Sequence, residues 1–366
     1  MNSAAGPRNA PTGNVDTTPG NSPLTDPPAD YCPPGAAKWF TLPDGENAGA
    51  KIFFADYQIG DGEPEATVVL VHGNPECSYS YRHVVNELGS LATKPLRIVV
   101  MDHIGFGLSD QATFEMIDMH QAHNLRRLVE HLDLRGITLV VHDWGGPIGI
   151  GALLLENHTR VKNLVVLNTT VFPLPKDGLN FTNFPVPWRR LSWHASPDLF
   201  PSSIWGTWAA IAVHATPGST PKLFYNTLKN FARAVLGLAP DSWNVYKTML
   251  STKANANSSK RFVRHTKSWG HGYTYKTSIG TVDNRAFYQR IQSEIGEKWG
   301  PKGGNIPIRM LFGSWDPLAQ PSVIEQWTEA LPQLRGNIQV FADTSHFVAE
   351  HKGPEIAQAI IDVNGL

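Results

Sequence analysis

The sequence has little of what would place it in several large classes of protein. Only two of its 366 residues are cysteine, Cys32 and Cys77, which argues against a disulfide scaffold and favours a reducing compartment. Its formal net charge is -1, so composition gives no indication of nucleic-acid binding. It has no apolar run of about 18 residues, and therefore no membrane span is predicted.

The first 36 residues also lack apolar character. Proline, glycine, asparagine, serine and threonine dominate residues 1–36, which offer too little apolar surface to offset the entropy lost on ordering. We therefore expect a disordered extension there. The same stretch lacks the basic and apolar regions of a signal peptide, which leads us to expect a cytoplasmic protein.

From residue 37 onward, predicted strands alternate with predicted helices. Short apolar runs such as ATVVLVHG (66–73), LRIVVMD (96–102) and ITLVVHD (137–143) are typical of strands that are buried on both faces. Segments with helical periodicity lie between such runs. This alternation predicts an α/β fold with a mostly parallel central sheet and helices on both of its faces.

A long insertion interrupts the alternation. Residues 37–171 and 291–366 are predicted to form the α/β core, and residues 172–290 to form a helical cap over the carboxyl ends of the strands, where α/β folds bind ligands. Most tryptophans of the cap are expected to pack within it, and a few to line an apolar pocket. The insertion holds six of the eleven tryptophans, namely Trp188, Trp193, Trp205, Trp208, Trp243 and Trp269.

One strand-to-helix junction carries a charged residue among apolar neighbours. In VVHDWGGPIG (140–149), Asp143 stands where a nucleophile elbow of the form G-x-S-x-G has its serine. Gly145 and Gly146 permit a tight turn, and the N-terminus of the following helix favours an ionised carboxylate. Asp143 is thus a candidate nucleophile. The alternative is a purely structural role in which its side chain caps the following helix.

Two later residues supply the acid and the base that an aspartate nucleophile needs. A carboxylate that displaces a leaving group from a saturated carbon becomes an ester, and hydrolysis of that ester requires a base oriented by an acid. Asp316 follows a predicted strand in LFGSWDPLAQP, and His346 follows the last predicted strand in VFADTSHFVAEH. They are the candidate acid and base, in the chain order that this architecture uses.

Two neutral hydrogen-bond donors are predicted beside the candidate nucleophile. The segment HGNP (72–75) ends a strand, and in this architecture its loop supplies a backbone N–H to the oxyanion hole. The Asn74 amide and the Trp144 indole both carry side-chain N–H groups. Such neutral donors stabilise a departing anion without neutralising Asp143.

The motifs resemble those of the α/β-hydrolase superfamily and, within it, those of the haloalkane dehalogenases. The similarity covers about residues 40–170 and 300–366, and the cap matches loosely. The motifs that carry it are HGNP (72–75), DHIGFGLSD (102–110), VHDWGG (141–146), SWDP (314–317) and SHF (345–347). The resemblance implies that Asp143 is the nucleophile, His346 the base and Asp316 the acid. It implies that Asn74 and Trp144 form the halide-stabilising pair.

The resemblance also indicates a subfamily and a reaction. One dehalogenase subfamily has a glutamate acid at the end of the strand VVLNTT, where this chain has Asn168, so the subfamily with a later aspartate acid is favoured. The implied reaction is hydrolytic dehalogenation of a haloalkane to alcohol and halide through a covalent aspartyl-alkyl ester. We expect a small apolar substrate and halide as partners and no cofactor or metal. The oligomeric state is left open.

Three other functions are compatible with the same residues. The favoured subfamily is similar to the β-lactone decarboxylases, in which Asp143 would attack a strained ring carbon and carbon dioxide and an alkene would leave. NTLKNFARAV (226–235) and NTTVFPLPK (168–176) resemble those enzymes. A ligand-binding protein without catalytic activity, built on the same scaffold, is the second alternative. Such a protein would normally lack part of the nucleophile, acid and base set, and here no part of that set is missing.

An epoxide hydrolase is the third alternative, and it would need phenols from the cap to protonate the epoxide oxygen. The hydrogen-bond donor at Asn74 argues against this function, since many such enzymes have an aromatic residue there. The tyrosines in or near the cap are Tyr225, Tyr246, Tyr273, Tyr275 and Tyr288.

Overall fold

The structure is a computed structural model that describes residues 14–175, 196–216 and 219–366. The strands in these ranges are β1 (Asn14–Asp16), β2 (Ala37–Thr41), β3 (Lys51–Ile59), β4 (Ala66–Val71), β5 (Leu96–Met101), β6 (Ile137–His142), β7 (Val161–Leu167), β8 (Thr274–Thr277), β9 (Gly280–Asp283), β10 (Ile308–Trp315) and β11 (Ile338–Ser345). The α-helices are α1 (Arg82–Leu91), α2 (Asp118–His131), α3 (Gly145–Asn157), α4 (Ser196–Leu199), α5 (Ser202–Val213), α6 (Thr220–Val235), α7 (Asp241–Met249), α8 (Lys253–His265), α9 (Arg285–Lys298), α10 (Pro321–Ala330), α11 (Val348–His351) and α12 (Gly353–Asn364).

The main sheet is parallel through its centre and antiparallel at one edge. Its strand order is β1-β2-β3-β5-β4-β6-β7-β10-β11, with antiparallel pairs from β1 to β5 and parallel pairs from β5 to β11. Every residue of β6 is buried. Because successive side chains of a strand point to opposite faces, both faces of the sheet are covered. The predicted α/β fold is confirmed.

The parallel strands bring the candidate site residues to one edge of the sheet. Asp143 directly follows β6, Asn168 follows β7, Asp316 follows β10 and His346 follows β11. Asn74 lies in the loop after β4. Since parallel strands end at the same edge, residues that are far apart in the sequence converge there.

The insertion between β7 and β10 is built mainly from helices, with one addition. Helices α4 to α8 follow one another, and β8 and β9 then pair as an antiparallel hairpin that was not predicted from the sequence. Helix α9 crosses the predicted boundary between residues 290 and 291. Trp188 and Trp193, which were predicted to lie in the cap, fall outside the described residues.

The prediction of a disordered extension does not hold for residues 14–36. Strand β1 pairs with β2, and Leu24 and Tyr31 are each only 5% exposed. The Tyr31 hydroxyl donates a hydrogen bond to Asp102, 2.8 Å away. A few well-placed apolar and hydrogen-bonding groups therefore anchor a segment whose average composition is polar. Residues 1–13 lie outside the described residues.

Three structural features of the described residues concern the lengths of apolar helices, clusters of metal-binding side chains and the cysteines. No helix in the described ranges is both long and apolar enough to cross a bilayer. The same residues hold no group of three or more histidine, cysteine, aspartate or glutamate side chains placed to bind a metal ion. Cys32 and Cys77 are both free thiols.

Candidate active site

Asp143 occupies a sharp turn between β6 and α3. Its φ is 52°, in the left-handed region that few residues other than glycine adopt. A Cβ on Gly73 would collide with the Asp143 side chain, and one on Gly145 would collide with the carbonyl oxygen of Val71. These two glycines therefore let the neighbouring backbone approach closely enough for the strained turn to project its carboxylate.

The three predicted catalytic side chains are in hydrogen-bonding contact. Nε2 of His346 lies 2.9 Å from Oδ1 of Asp143, and Nδ1 of His346 lies 2.5 Å from Oδ2 of Asp316. All three side chains are buried. Because ionised carboxylates only accept hydrogen bonds, each ring nitrogen donates its proton to the carboxylate that it faces.

The two carboxylates set the charge of the imidazole between them. Burial alone lowers the pKa of His346, but the negative charge of Asp316 and the hydrogen bonds to both carboxylates outweigh burial and raise this pKa well above its usual 6.5. The imidazole is therefore cationic near neutral pH. A reaction that turns Asp143 into a neutral ester removes one of these charges, and the pKa of His346 then falls.

Asp316 is held in place by Asn168, which follows β7, and by the backbone of its own loop after β10. Nδ2 of Asn168 donates to Oδ2 of Asp316 at 2.6 Å, and the backbone N–H of Leu318 donates to Oδ1 at 3.1 Å. Asn168 is itself fixed because its Oδ1 accepts a hydrogen bond from the Gly313 backbone at 2.7 Å. The side chain at position 168 thus orients the candidate acid.

The backbone of Asn74 hydrogen-bonds to the candidate nucleophile, and its side-chain amide N–H groups stay available for a substrate. Its backbone N–H donates to Oδ2 of Asp143 at 2.8 Å, and its Oδ1 accepts from the Ser259 hydroxyl at 2.6 Å. The Trp205 indole N–H donates to the same hydroxyl at 2.8 Å. Among the described residues, Nδ2 of Asn74 makes no hydrogen bond. The two cap residues therefore orient the Asn74 amide and leave its N–H groups free for a substrate.

Trp144 packs against aromatic residues of the cap. Its ring stacks on Trp269 with a centroid separation of 4.0 Å and contacts Phe262 at 5.2 Å. Trp269 is anchored by a 2.7 Å hydrogen bond from its indole to the carbonyl of Thr170. Within the described ranges the Trp144 indole N–H has no hydrogen-bond acceptor. It is a second neutral donor in an aromatic setting.

A fully buried pair of ionisable side chains lies behind the triad. Nδ1 of His142 is 2.5 Å from Oε2 of Glu76, and Nε2 of His142 donates to the carbonyl of His346 at 2.8 Å. Burial raises the pKa of Glu76, but the charge of His142 and its hydrogen bond outweigh burial and lower it below the usual value. The pair holds the backbone of the candidate base.

Four of these supporting residues were not identified from the sequence. Glu76 directly follows HGNP, and His142 lies within VHDWGG directly before Asp143, so their positions beside or within motifs were the only available signal. Ser259 and Trp205 carry no motif. They reach Asn74 only because the cap folds over the sheet.

The cap tyrosines proposed for epoxide chemistry have other surroundings. Tyr225 is 64% exposed, and Tyr273 stacks on His265 with centroids 3.4 Å apart. Among the described residues, none of the five hydroxyls hydrogen-bonds to Asp143. The other three hydroxyls are hydrogen-bonded, Tyr246 with Ser80, Tyr275 with Glu115 and Tyr288 with Asp118.

Comparisons with known proteins agree with this architecture. The model of the alpha/beta hydrolase fold family matches residues 66–352. A "Cis-3-alkyl-4-alkyloxetan-2-one decarboxylase" of Xanthomonas campestris is 40% identical in an alignment of 331 residues that covers 85% of this chain and 91% of that enzyme. A "Haloalkane dehalogenase" of Mycolicibacterium paratuberculosis is 26% identical over 91% of this chain and 93% of its own.

A solved structure shows the same fold. The haloalkane dehalogenase DpaA from Paraglaciecola agarilytica, described as tetrameric, superposes with a TM-score of 0.60 at 22% identity and covers 90% of this chain and 95% of its own. The resemblance to haloalkane dehalogenases and to β-lactone decarboxylases is confirmed. The chain belongs to the α/β hydrolase family and, within it, to the group that contains the Xanthomonas enzyme.

Proposed function

We propose that the protein converts a cis-3,4-dialkyl β-lactone into an alkene and carbon dioxide, with Asp143 as the nucleophile. The observation that carries the proposal is the 40% identity to the Xanthomonas decarboxylase over 91% of that enzyme's length. A match of this length includes cap sequence as well as core sequence. Dehalogenation, which the motifs first indicated, becomes the second candidate.

In the first step, the Asp143 carboxylate attacks the ring carbon that bears the ring oxygen. The carbon–oxygen bond of the strained ring breaks, an ester to Asp143 forms and a substrate carboxylate is released on the neighbouring carbon. The free N–H groups of Asn74 and Trp144 are suited to hold this new anion, since both are neutral and neither can form an ion pair with Asp143.

In the second step, the substrate carboxylate leaves as carbon dioxide. The electrons of the broken carbon–carbon bond form the double bond, and the ester bond to Asp143 breaks so that the aspartate regains its charge. Attack with inversion followed by anti elimination preserves the cis relationship of the two alkyl groups in the alkene. Neither step consumes water or a proton.

The charge state of His346 supports this course. The raised pKa of His346 in the free enzyme means that an imidazolium N–H faces Asp143 at 2.9 Å. An N–H donor at that position stabilises the carboxylate that departs in the second step. Asp316 then serves to keep the imidazole oriented and charged.

Product analysis with a synthetic cis-3,4-dialkyl β-lactone tests the proposal. We expect one alkene and one carbon dioxide per lactone, measured by gas chromatography, and loss of both products in Asp143→Asn. Asp343→Asn is a matched control, because this carboxylate is 71% exposed and pairs with Lys352 on the surface. Hydroxy acid in place of alkene would contradict the proposal, because it would mean that water attacks the intermediate.

Hydrolytic dehalogenation is the second candidate because the same two free donors suit a halide ion. Asp143 would then displace halide, and His346, with its pKa lowered once the ester has formed, would activate water to release alcohol. Halide release from 1-bromobutane by the wild type, but not by Asp143→Ala, tests it. His346→Phe is expected to accumulate the alkyl-enzyme, which intact mass detects.

Isotopic water distinguishes the two reactions on the enzyme itself. Water that attacks the aspartyl carbonyl leaves heavy oxygen in Asp143, whereas decarboxylation leaves Asp143 unlabelled. Peptide mass analysis after turnover in heavy-oxygen water therefore reports which course each substrate takes.

Epoxide hydrolysis is a weaker explanation of this site, because the hydroxyls of three cap tyrosines are already hydrogen-bonded to other groups. The complete nucleophile, base and acid set disfavours a binding protein without catalysis.

A further inference from the structure

Trp269 is the cap residue that lies flat against Trp144. The centroids of the two indole rings are 4.0 Å apart and their planes differ by only 15°. Both side chains are buried, so the rings are in van der Waals contact over their faces. Rotation of the Trp144 ring about its Cβ–Cγ bond would drive it into Trp269, because a close-packed interior leaves no room for the movement. The stack therefore restricts the direction of the Trp144 indole N–H.

The two stacked tryptophans differ in what their N–H groups can do. The indole N–H of Trp269 donates to the carbonyl of Thr170 at 2.7 Å, and an indole has no second donor. Within the described ranges, no acceptor faces the indole N–H of Trp144. Trp144 is therefore the member of the pair that can bind an anion, and Trp269 is the member that is fixed to the backbone.

The backbone around Trp269 is held at the junction of the cap and the core. Residues 170–174 lead from β7 into the cap, and residues 269–272 lie after helix α8. Gln292, on helix α9, donates from Nε2 to the carbonyl of Val171 at 2.8 Å and to the carbonyl of Gly270 at 2.7 Å. One side chain thus ties the two segments together. We call the hydrogen bonds that Trp269 and Gln292 make to these segments the cap clasp.

We propose that Trp269 is a positioning residue that aims the Trp144 indole N–H at the anion formed during the reaction, and that Gln292 keeps Trp269 in place. The inference rests on the proposed function, in which this N–H holds the carboxylate released when the lactone ring opens. The strength of a hydrogen bond falls steeply as its angle departs from linearity. A ring direction that is fixed in advance keeps the bond strong at the moment when charge develops.

A positioning role has a kinetic consequence that filling of space does not have. The lactone carries no negative charge until its ring begins to open, so the Trp144 N–H acts mainly in the transition state. Poor aim of this donor should therefore lower kcat, while KM, which depends on burial of the alkyl chains, stays nearly unchanged. A residue that only filled space would change the free energy of unfolding without acting through the Trp144 N–H.

Steady-state kinetics with the synthetic β-lactone test the proposal. In Trp269→Leu, which removes the flat ring face, we expect kcat to fall by about tenfold and KM to change by less than about twofold. Trp144→Phe lacks the indole N–H, so adding Trp269→Leu to it should lower kcat by less than about a further twofold. Gln292→Leu leaves both rings intact and should lower kcat by about threefold.

Trp299→Leu is the matched control. Trp299 is also buried, and its indole donates to the carbonyl of His158 at 3.2 Å. His158 precedes β7, at the edge of the sheet opposite to the site. This variant should lose stability and keep the kcat of the wild type. If Trp269→Leu does not fold in thermal unfolding, Trp269→Phe replaces it. Phenylalanine keeps part of the ring face, and its kcat should fall by about threefold.

Two measurements without turnover separate this inference from the proposed reaction. Stacked tryptophans give an exciton-coupled circular dichroism signal, which should disappear in Trp269→Leu and persist in Trp299→Leu. Bromide titration followed by tryptophan fluorescence reports on the anion site, and Trp269→Leu should weaken bromide binding by about fivefold. If the wild type leaves the lactone intact but shows this loss of bromide binding in Trp269→Leu, the positioning role stands and the proposed reaction fails.

Three results would overturn the proposal. One is a wild-type protein that binds no bromide, because the Trp144 N–H would then not hold an anion. Another is bromide binding of equal strength in the wild type and in folded Trp269→Leu. The third is a tenfold fall in kcat that Trp269→Leu causes equally with and without the Trp144 N–H, because the effect would then be general damage to the cap.

Discussion

Removal of the Ser259 hydroxyl should reduce activity through Asn74. Ser259→Ala deletes the 2.6 Å hydrogen bond to Oδ1 of Asn74 and the 2.8 Å hydrogen bond from the Trp205 indole. Both Ser259 and Trp205 are 0% exposed, and Asn74 is 5% exposed. One buried acceptor and one buried donor therefore lose their partner, and no bulk water is available to replace it.

The expected cost follows from these two lost bonds. An orphaned buried polar group costs about 1–3 kcal/mol, so the two orphaned groups together should lower the free energy of unfolding by about 2–6 kcal/mol. The Asn74 amide also loses the contact that fixes its rotation. Deleting a donor to a developing anion costs about 100-fold in kcat, which is our expectation for Asn74→Ala. A donor that is present but poorly aimed should cost less, about tenfold.

A double-mutant cycle separates positioning from general damage. If Ser259 acts through Asn74, then Ser259→Ala should lower kcat in the wild-type background but hardly at all in Asn74→Ala. Steady-state kinetics and urea unfolding supply both measurements. Ser258→Ala is the control, because Ser258 is also buried on α8 and, among the described residues, accepts only from the Met116 backbone at 3.3 Å. Multiplicative kcat losses in the double variant would refute the reasoning.

The remaining predictions concern the charge of His346, the turn at Gly73 and the N-terminal segment that Tyr31 anchors. The folded-state pKa of His346 is raised. The stabilisation that protonated His346 gives to the folded protein should therefore be complete below about pH 6.5 and decline as pH rises through the raised pKa. The free energies of unfolding of the wild type and of His346→Gln, measured across pH, test this. Gly73→Ala should destabilise the protein by about 1–3 kcal/mol and abolish activity, because its methyl group collides with Asp143. Tyr31→Phe should cost about 1–3 kcal/mol in thermal unfolding, because Asp102 loses a 2.8 Å donor, while kcat stays unchanged.

Each of these predictions has a control on the same chain. Asp316→Asn removes the main charge that raises the pKa of His346, so an NMR titration of the imidazole should move to lower pH. Gly89→Ala adds a methyl group with no atom within 4 Å and should not destabilise. Tyr225→Phe alters a 64% exposed residue and should leave unfolding unchanged. A wild-type response in Gly73→Ala or Tyr31→Phe would contradict the contacts assigned to them.

The sequence alone identified the residues that meet at the site because each follows its own strand. Asp143, Asp316 and His346 each end an apolar run, and parallel strands carry such positions to one edge. Asn74 was found in the same way, from the loop after β4. The alternation of apolar runs with helical periodicity is a local property, so it predicts the sheet and its helices without any knowledge of distant contacts.

For residues 14–36, local sequence composition did not predict the structure. Their average composition is polar, and composition does not reveal that Tyr31 reaches Asp102, 71 positions further along the chain. The β8–β9 hairpin was missed for a related reason, since its short strands lie within a segment whose neighbours are helical.

The tertiary structure alone decided how the site is oriented. The hydroxyl of Ser259 meets Asn74 across 185 positions, and Glu76 meets His142 across 66. Neither contact has a sequence pattern, because hydrogen bonds between side chains depend on the docking of the cap and of loops rather than on local periodicity. The exposed side of α6 is another such feature. The spacing of its apolar residues is given by the sequence, but only the packing of the cap determines that Phe224, Leu228, Phe231 and Val235 face solvent.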